Sequence, residues 1–62
     1  MWYETLKELR ESSKESMSKT ADALGIPKGT YASYEYGKRE PNIEMISKIA
    51  EHFNVSTDYI LG

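Results

Sequence analysis

Apolar residues recur at helical spacing along almost the whole chain. Trp2, Leu6 and Leu9, with Tyr3 beside them, predict a first helix. It should end near Ser12-Ser13, where serine side chains compete for backbone hydrogen bonds. Ser16 has the chemistry of an N-cap for a second helix that carries Met17, Ala21 and Leu24 on one side. Gly25 fits the position just past that helix, where positive φ costs glycine nothing. Pro27 belongs at the entry to a third helix, which Gly37 closes as Gly25 closes the second. Asn42 reads as the cap of a fourth helix with Ile43, Ile46, Ile49, Ala50 and Phe53 on one stripe, stopped at Asn54. Ser56 opens a last short helix with Tyr59, Ile60 and Leu61 apolar and Asp58 in its first turn. Nothing alternates as a strand would, so the expected architecture is all-α, five short helices in a compact bundle.

Length and charge narrow the partners. Sixty-two residues allow one domain, residues 1–62, with a modest core, because so short a chain buries only about 60% of its unfolded surface. The chain has no cysteine and one histidine, which rules out a disulfide scaffold or a zinc finger. A cytoplasmic location is expected, since the lack of cysteine fits a reducing compartment and neither a signal peptide nor a membrane-length apolar run is present. The net charge of −2 speaks at first against nucleic acid, yet distribution matters more than the sum. Residues 16–41 carry Lys19, Lys28, Lys38 and Arg39 against Asp22, Glu35 and Glu40. Residues 42–62 carry Lys48 against Glu44, Glu51 and Asp58, so the acid leans toward the C-terminal end.

The second and third helices, joined by three residues of turn after a glycine, have the punctuation of a helix-turn-helix over about residues 16–36. In that motif the second helix, here about residues 28–36, enters the major groove of DNA. At 100° per residue, Lys28, Gly29, Ala32, Ser33 and Tyr36 fall within one arc of about 140°, with Thr30, Tyr31 and Tyr34 opposite. The first face has no aliphatic side chain larger than alanine. Such a face suits close approach of the backbone to base edges, whereas taken alone it would equally suit an ordinary solvated surface. Lys28 at a helix N-terminus opposes the dipole, a placement more easily explained by an external anion.

The run Tyr34-Glu35-Tyr36-Gly37-Lys38-Arg39-Glu40-Pro41 resembles the loop after the recognition helix in the phage Cro/repressor (XRE-like) family of regulators. The similarity extends over residues 5–62, with Leu6-Lys7-Glu8-Leu9-Arg10 at one end and Phe53 to Gly62 at the other. It implies a five-helix, lambda-repressor-like DNA-binding domain. It also implies DNA contacts from Ser16, Met17, Lys19, Lys28, Gly29, Thr30, Ala32, Ser33, Tyr36, Lys38 and Arg39, the last two in a loop that tracks phosphate. Glu35 would tie the third helix to its surroundings, and Leu61-Gly62 would lead into a linker to a further domain. The second helix departs from the family pattern. Glu15 stands where an apolar residue is usual, Met17 where a backbone-contacting glutamine is usual, and Thr20 where leucine is usual. The backbone N–H of Met17 can still serve at a helix N-terminus. Thr20 is expected to leave core volume unfilled, so that Thr20→Leu would raise the melting temperature, with a stability gain of about 1–2 kcal/mol.

Sequence-specific binding of double-stranded DNA, as a homodimer on a palindromic operator, is the leading expectation for function, most simply as a repressor of phage or mobile-element type. The surplus of apolar residues at Phe53, Val55, Tyr59, Ile60 and Leu61 points to a C-terminal dimer interface, expected to be small and weak off DNA because some of these residues must close the core. The alternative is a protein-interaction module on the same fold, an antitoxin or antirepressor partner, which the overall negative charge keeps open. Enzymatic activity, cofactor and metal are not expected. His52 should be a surface or half-buried residue outside any catalytic grouping, and Glu8, Glu11 and Glu15 should form a solvated acidic face offset by Lys7, Arg10 and Lys14.

Overall fold

The computed structural model describes residues 1–62 and contains five α-helices: α1 Trp2–Ser12, α2 Met17–Leu24, α3 Lys28–Glu35, α4 Ile43–Phe53 and α5 Thr57–Leu61. The caps follow the side chains. Ser16, Asn42 and Ser56 each accept a hydrogen bond from a backbone N–H three residues on, at 3.0, 2.8 and 3.0 Å. The third helix is one residue shorter than expected, with Tyr36 serving as its C-cap.

One device ends four of the helices. After α1, Glu15 N–H donates to the Arg10 carbonyl and Lys14 N–H to that of Glu11, with Lys14 at φ +57°. The same paired bonds follow α2, α3 and α4, with Gly25, Gly37 and Asn54 in the left-handed position. Lysine pays a steric penalty there that glycine does not. In three of the four the residue after the motif turns inward, Glu15, Ile26 and Val55 being half-buried, whereas Lys38 after Gly37 stays exposed.

Leu6, Ala21, Leu24, Tyr31, Tyr34, Ile46, Ile49, Ala50 and Ile60 form one core, flanked by Trp2, Leu9, Met17, Ile26, Met45, Phe53 and Val55. α2 packs on α3 and α4, while α1 packs on α3 and α5. Lys48 Nζ on α4 reaches the Leu24 carbonyl at the end of α2, at 3.4 Å. Ile43 leaves the expected stripe of α4, being 85% exposed at the edge of the arc. Of the apolar residues assigned to a dimer, Ile60 closes the core and Phe53 and Val55 pack against it, leaving Tyr59 and Leu61 exposed.

Buried polar groups account for two of the departures around the start of α2, Glu15 and Thr20. Arg10 belongs to no solvated face: its Nε and Nη2 donate to the two oxygens of Glu35 at 2.6 and 3.2 Å, and Nη1 donates to the Glu15 carbonyl at 2.9 Å. Glu35 thus ties α3 to α1, and its carboxylate raises the Arg10 pKa above its already high ordinary value. The Tyr31 hydroxyl is buried without a partner, and burial together with the Glu35 carboxylate pushes its titration well above the usual tyrosine range.

Glu15 also departs from the solvated face assigned to it. Its Oε1 accepts from Thr20 Oγ1 at 2.7 Å and from His52 Nε2 at 2.8 Å, so the turned-in carboxylate finds donors on both α2 and α4. His52 is half-buried as expected, but it does belong to a polar group. The carboxylate sits between threonine and histidine, which is not the order of a nucleophile relay.

Two expected results follow. Thr20 is fully buried and its hydroxyl is bonded, which reverses the sign expected for Thr20→Leu. Removing a donor to a charged group and forcing a larger side chain into filled space should lower stability by on the order of 1 kcal/mol. Thermal melting of the variant checks this. The hydrogen bond from His52, then that from Thr20, holds Glu15 below the usual carboxylate range. A carboxyl shifted in this sense adds stability that is complete above its unfolded pKa and is lost as pH falls through the folded one. Glu15→Gln should therefore flatten the acid limb of the stability profile, measured as urea midpoints from about pH 6 down to about pH 2. An unchanged acid slope would count against the Glu15 contacts.

Candidate nucleic-acid interface

The three-residue turn Gly25-Ile26-Pro27 brings α3 across α2, and the two aromatic residues opposite the polar arc settle how α3 is rotated. Tyr31 and Tyr34 are buried, at 0% and 7% exposure. The other arc of α3 consequently faces outward. Lys28, Gly29 and Tyr36 are exposed, while Ala32 and Ser33 are half-buried. Thr30 is also half-buried and flanks the arc rather than belonging to it. Ser33 Oγ donates to the Thr30 carbonyl at 2.6 Å, so its proton is committed and only its oxygen lone pairs are left for a partner.

Gly29 has no internal explanation. A Cβ built on it meets nothing within 4 Å, and its φ is not positive. A small residue in open space on a helix makes sense where something outside the molecule comes close. Gly29→Ala should therefore raise stability, by about 0.5–1 kcal/mol, while weakening DNA binding. Paired melting and binding measurements check the two halves. A variant both more stable and fully competent would show that no close approach occurs there.

The basic loop is folded back on the same helix. The Ser33 carbonyl accepts from Lys38 N–H at 2.9 Å and from Arg39 N–H at 3.2 Å, and the Tyr34 carbonyl accepts from Gly37 N–H at 3.1 Å. Lys38 and Arg39 are exposed and join no intramolecular ion pair, as is true of Lys19 and Lys28. Glu35 is 1% exposed at its side chain and neutralised by Arg10. The exposed charge of residues 16–41 is therefore more positive than the sequence count, with four cations facing only Asp22 and Glu40. Ser16 is exposed at the N-terminus of α2 and spends its hydroxyl oxygen on the cap, and Met17 beside it is half-buried against the core.

Sequence reasoning missed two features near this surface. One is the Glu15–Thr20–His52 cluster under the entry to α2. The other is Tyr3, whose ring lies against Gly37. Neither has a local signature, since no periodicity or cap indicates which distant groups meet.

Residues 6–60 match the model of a family described as helix-turn-helix. The HTH-type transcriptional regulator AnsR of Bacillus subtilis is 46% identical over 57 residues, which make up 92% of this chain and 49% of that protein. An SPbeta prophage-derived HTH-type transcriptional regulator of the same organism, YonR, is 41% identical over 98% of this chain and 56% of its own length. The cryptic phage CTXphi transcriptional repressor RstR of Vibrio cholerae is 29% identical over 89% of this chain and 50% of its own. The chain thus spans about half the length of these relatives. No solved structure matches it.

Proposed function

Because this chain belongs to the helix-turn-helix family, we propose that it is the sequence-specific, double-stranded-DNA-binding domain of a transcriptional repressor of phage or mobile-element type. The observation that carries this reading is the outward arc of α3, with an unhindered Gly29 and a basic loop bonded to the Ser33 carbonyl. On this reading α3 lies in the major groove, with Lys28, Gly29, Thr30, Ala32, Ser33 and Tyr36 toward base edges. Lys38 and Arg39 meet the phosphate strand on one side, and Ser16, Met17 and Lys19 at the start of α2 meet it on the other. The surplus of exposed cations in residues 16–41 favours DNA over a protein partner. No role here calls for catalysis or a cofactor, and the site of action is the cytoplasm. No helix is long and apolar enough to cross a membrane.

The domain acts as a homodimer on a palindromic operator, its half-sites about 34–36 Å apart. Support comes from three exposed apolar side chains, Ile43, Tyr59 and Leu61, at 85%, 60% and 60% exposure. Ile43 and Leu61 line one groove together with Pro41, Ile46, Ser47 and Thr57. So small a patch makes a weak dimer off DNA. The test is a selection of bound sequences from a random DNA pool, followed by sedimentation with and without the selected site. A palindromic consensus and a two-to-one complex are expected. Failure to enrich any sequence, with no binding to random duplex at low salt, would shift the reading to the protein-interaction module.

A further inference from the structure

Tyr3 sits about 100° around α1 from Trp2, off the apolar stripe, and is nevertheless half-buried. What covers it is the turn after α3. A Cβ placed on Gly37 would lie 3.0 Å from Tyr3 Cδ1 and Cε1 and 3.3 Å from Cγ, so the ring is pressed on the Gly37 α-carbon. Trp2 meets Tyr3 edge to face, with centroids 5.5 Å apart and planes at 88°, and itself packs against the core. The turn is therefore held on one side by three backbone hydrogen bonds to the Ser33 and Tyr34 carbonyls and on the other by an aromatic ring. The next two residues are Lys38 and Arg39, whose side chains have no partner in the fold.

We propose that Tyr3 is a positioning residue for DNA binding, a buttress from α1 that holds the Gly37 turn so that Lys38 and Arg39 meet phosphate already ordered. This rests on the reading of those two residues as phosphate contacts. The physical gain is pre-organisation, because a turn free to move must be ordered at the moment of binding. The ring surface does this work. Tyr3 makes no side-chain hydrogen bond to the turn, so phenylalanine should serve as well. Glycine is favoured at 37 on two grounds, its φ of +72° and the Tyr3 ring, which a Cβ would approach to 3.0 Å.

The test is a double-mutant cycle, with affinity for a random-sequence duplex read by fluorescence anisotropy over a salt series. The variants are Tyr3→Ala, Tyr3→Phe, Lys38→Ala with Arg39→Ala, and the combination of these last two with Tyr3→Ala. Alanine is the better helix former, so α1 itself is not weakened. Tyr3→Leu replaces Tyr3→Ala if melting shows the latter unfolded at the assay temperature. The expected result is a loss of about threefold to tenfold for Tyr3→Ala, parental affinity for Tyr3→Phe, and no added loss when Lys38 and Arg39 are already gone. An equal loss in both backgrounds would show a purely structural effect and overturn the proposal, as would parental affinity for Tyr3→Ala. Parental affinity for the Lys38 and Arg39 variant would remove the phosphate reading itself, a failure visible without any change at Tyr3.

Discussion

Glu35→Ala is expected to remove about half or more of the domain's stability. The substitution strands the Arg10 guanidinium, whose side chain is 13% exposed and whose Nε and Nη2 both point at the missing carboxylate. Removing one partner of a buried pair costs about 3–5 kcal/mol. A domain of this length has only about 3–9 kcal/mol in all, at the usual 0.05–0.15 kcal/mol per residue. The loss is also structural, because the same guanidinium holds the Glu15 carbonyl at 2.9 Å and so fixes the turn that leads into α2. Replacing both partners with apolar residues, Arg10→Met with Glu35→Leu, should recover part of the stability, since desolvation of the charges is then no longer needed while the bond to the Glu15 carbonyl is still lost. Urea denaturation of the three proteins decides the matter. A parental midpoint for Glu35→Ala would mean that water already compensates Arg10 and that the pair does not hold α3 to α1.

The largest effect on binding is expected from Lys28, and comparison with Lys38 shows its kind. Lys28 opens the arc that carries Gly29, Ala32 and Ser33, and its side chain is exposed. Lys38 follows the Gly37 turn, where the chain leaves α3. A base contact is worth about 1–3 kcal/mol on the operator and little on other DNA, whereas a phosphate contact weakens all sequences alike and lowers the salt slope by roughly 1. Lys28→Ala should lose operator preference, and Lys38→Ala should lose affinity while keeping that preference. Titrations against operator and random duplex at several salt concentrations separate the two. Parental binding by both variants would remove α3 from the interface.

Helix limits and the orientation of α3 were legible in the sequence because they depend on neighbours. Ser16, Asn42 and Ser56 cap at the expected places, and Gly25, Gly37 and Asn54 take the left-handed position there too. The wheel of α3 separated Tyr31 and Tyr34 from the outward arc with no knowledge of what they pack on. Errors came where a side chain's environment is set by a residue far away in the chain. Charge pattern alone put Arg10 and Glu15 in solvent. Their partners Glu35 and His52 lie 25 and 37 residues further on. Thr20 reads as a missing leucine for a different reason: its partner Glu15 is near in sequence, but the turn motif that swings that carboxylate inward has lysine in place of the usual glycine.

The sequence by itself therefore determined an all-helical domain, the limits of its helices, and a helix-turn-helix with a small, polar outward face followed by a basic loop. Each of these follows from backbone sterics, capping and periodicity, which act within a few residues. Only the tertiary structure decided that Glu35 is neutralised beneath α3, that Glu15 bridges α2 and α4, and that Tyr3 braces the turn before Lys38. Such contacts depend on how helices stack, and a buried polar atom bonds to whatever donor or acceptor the stacking brings within reach.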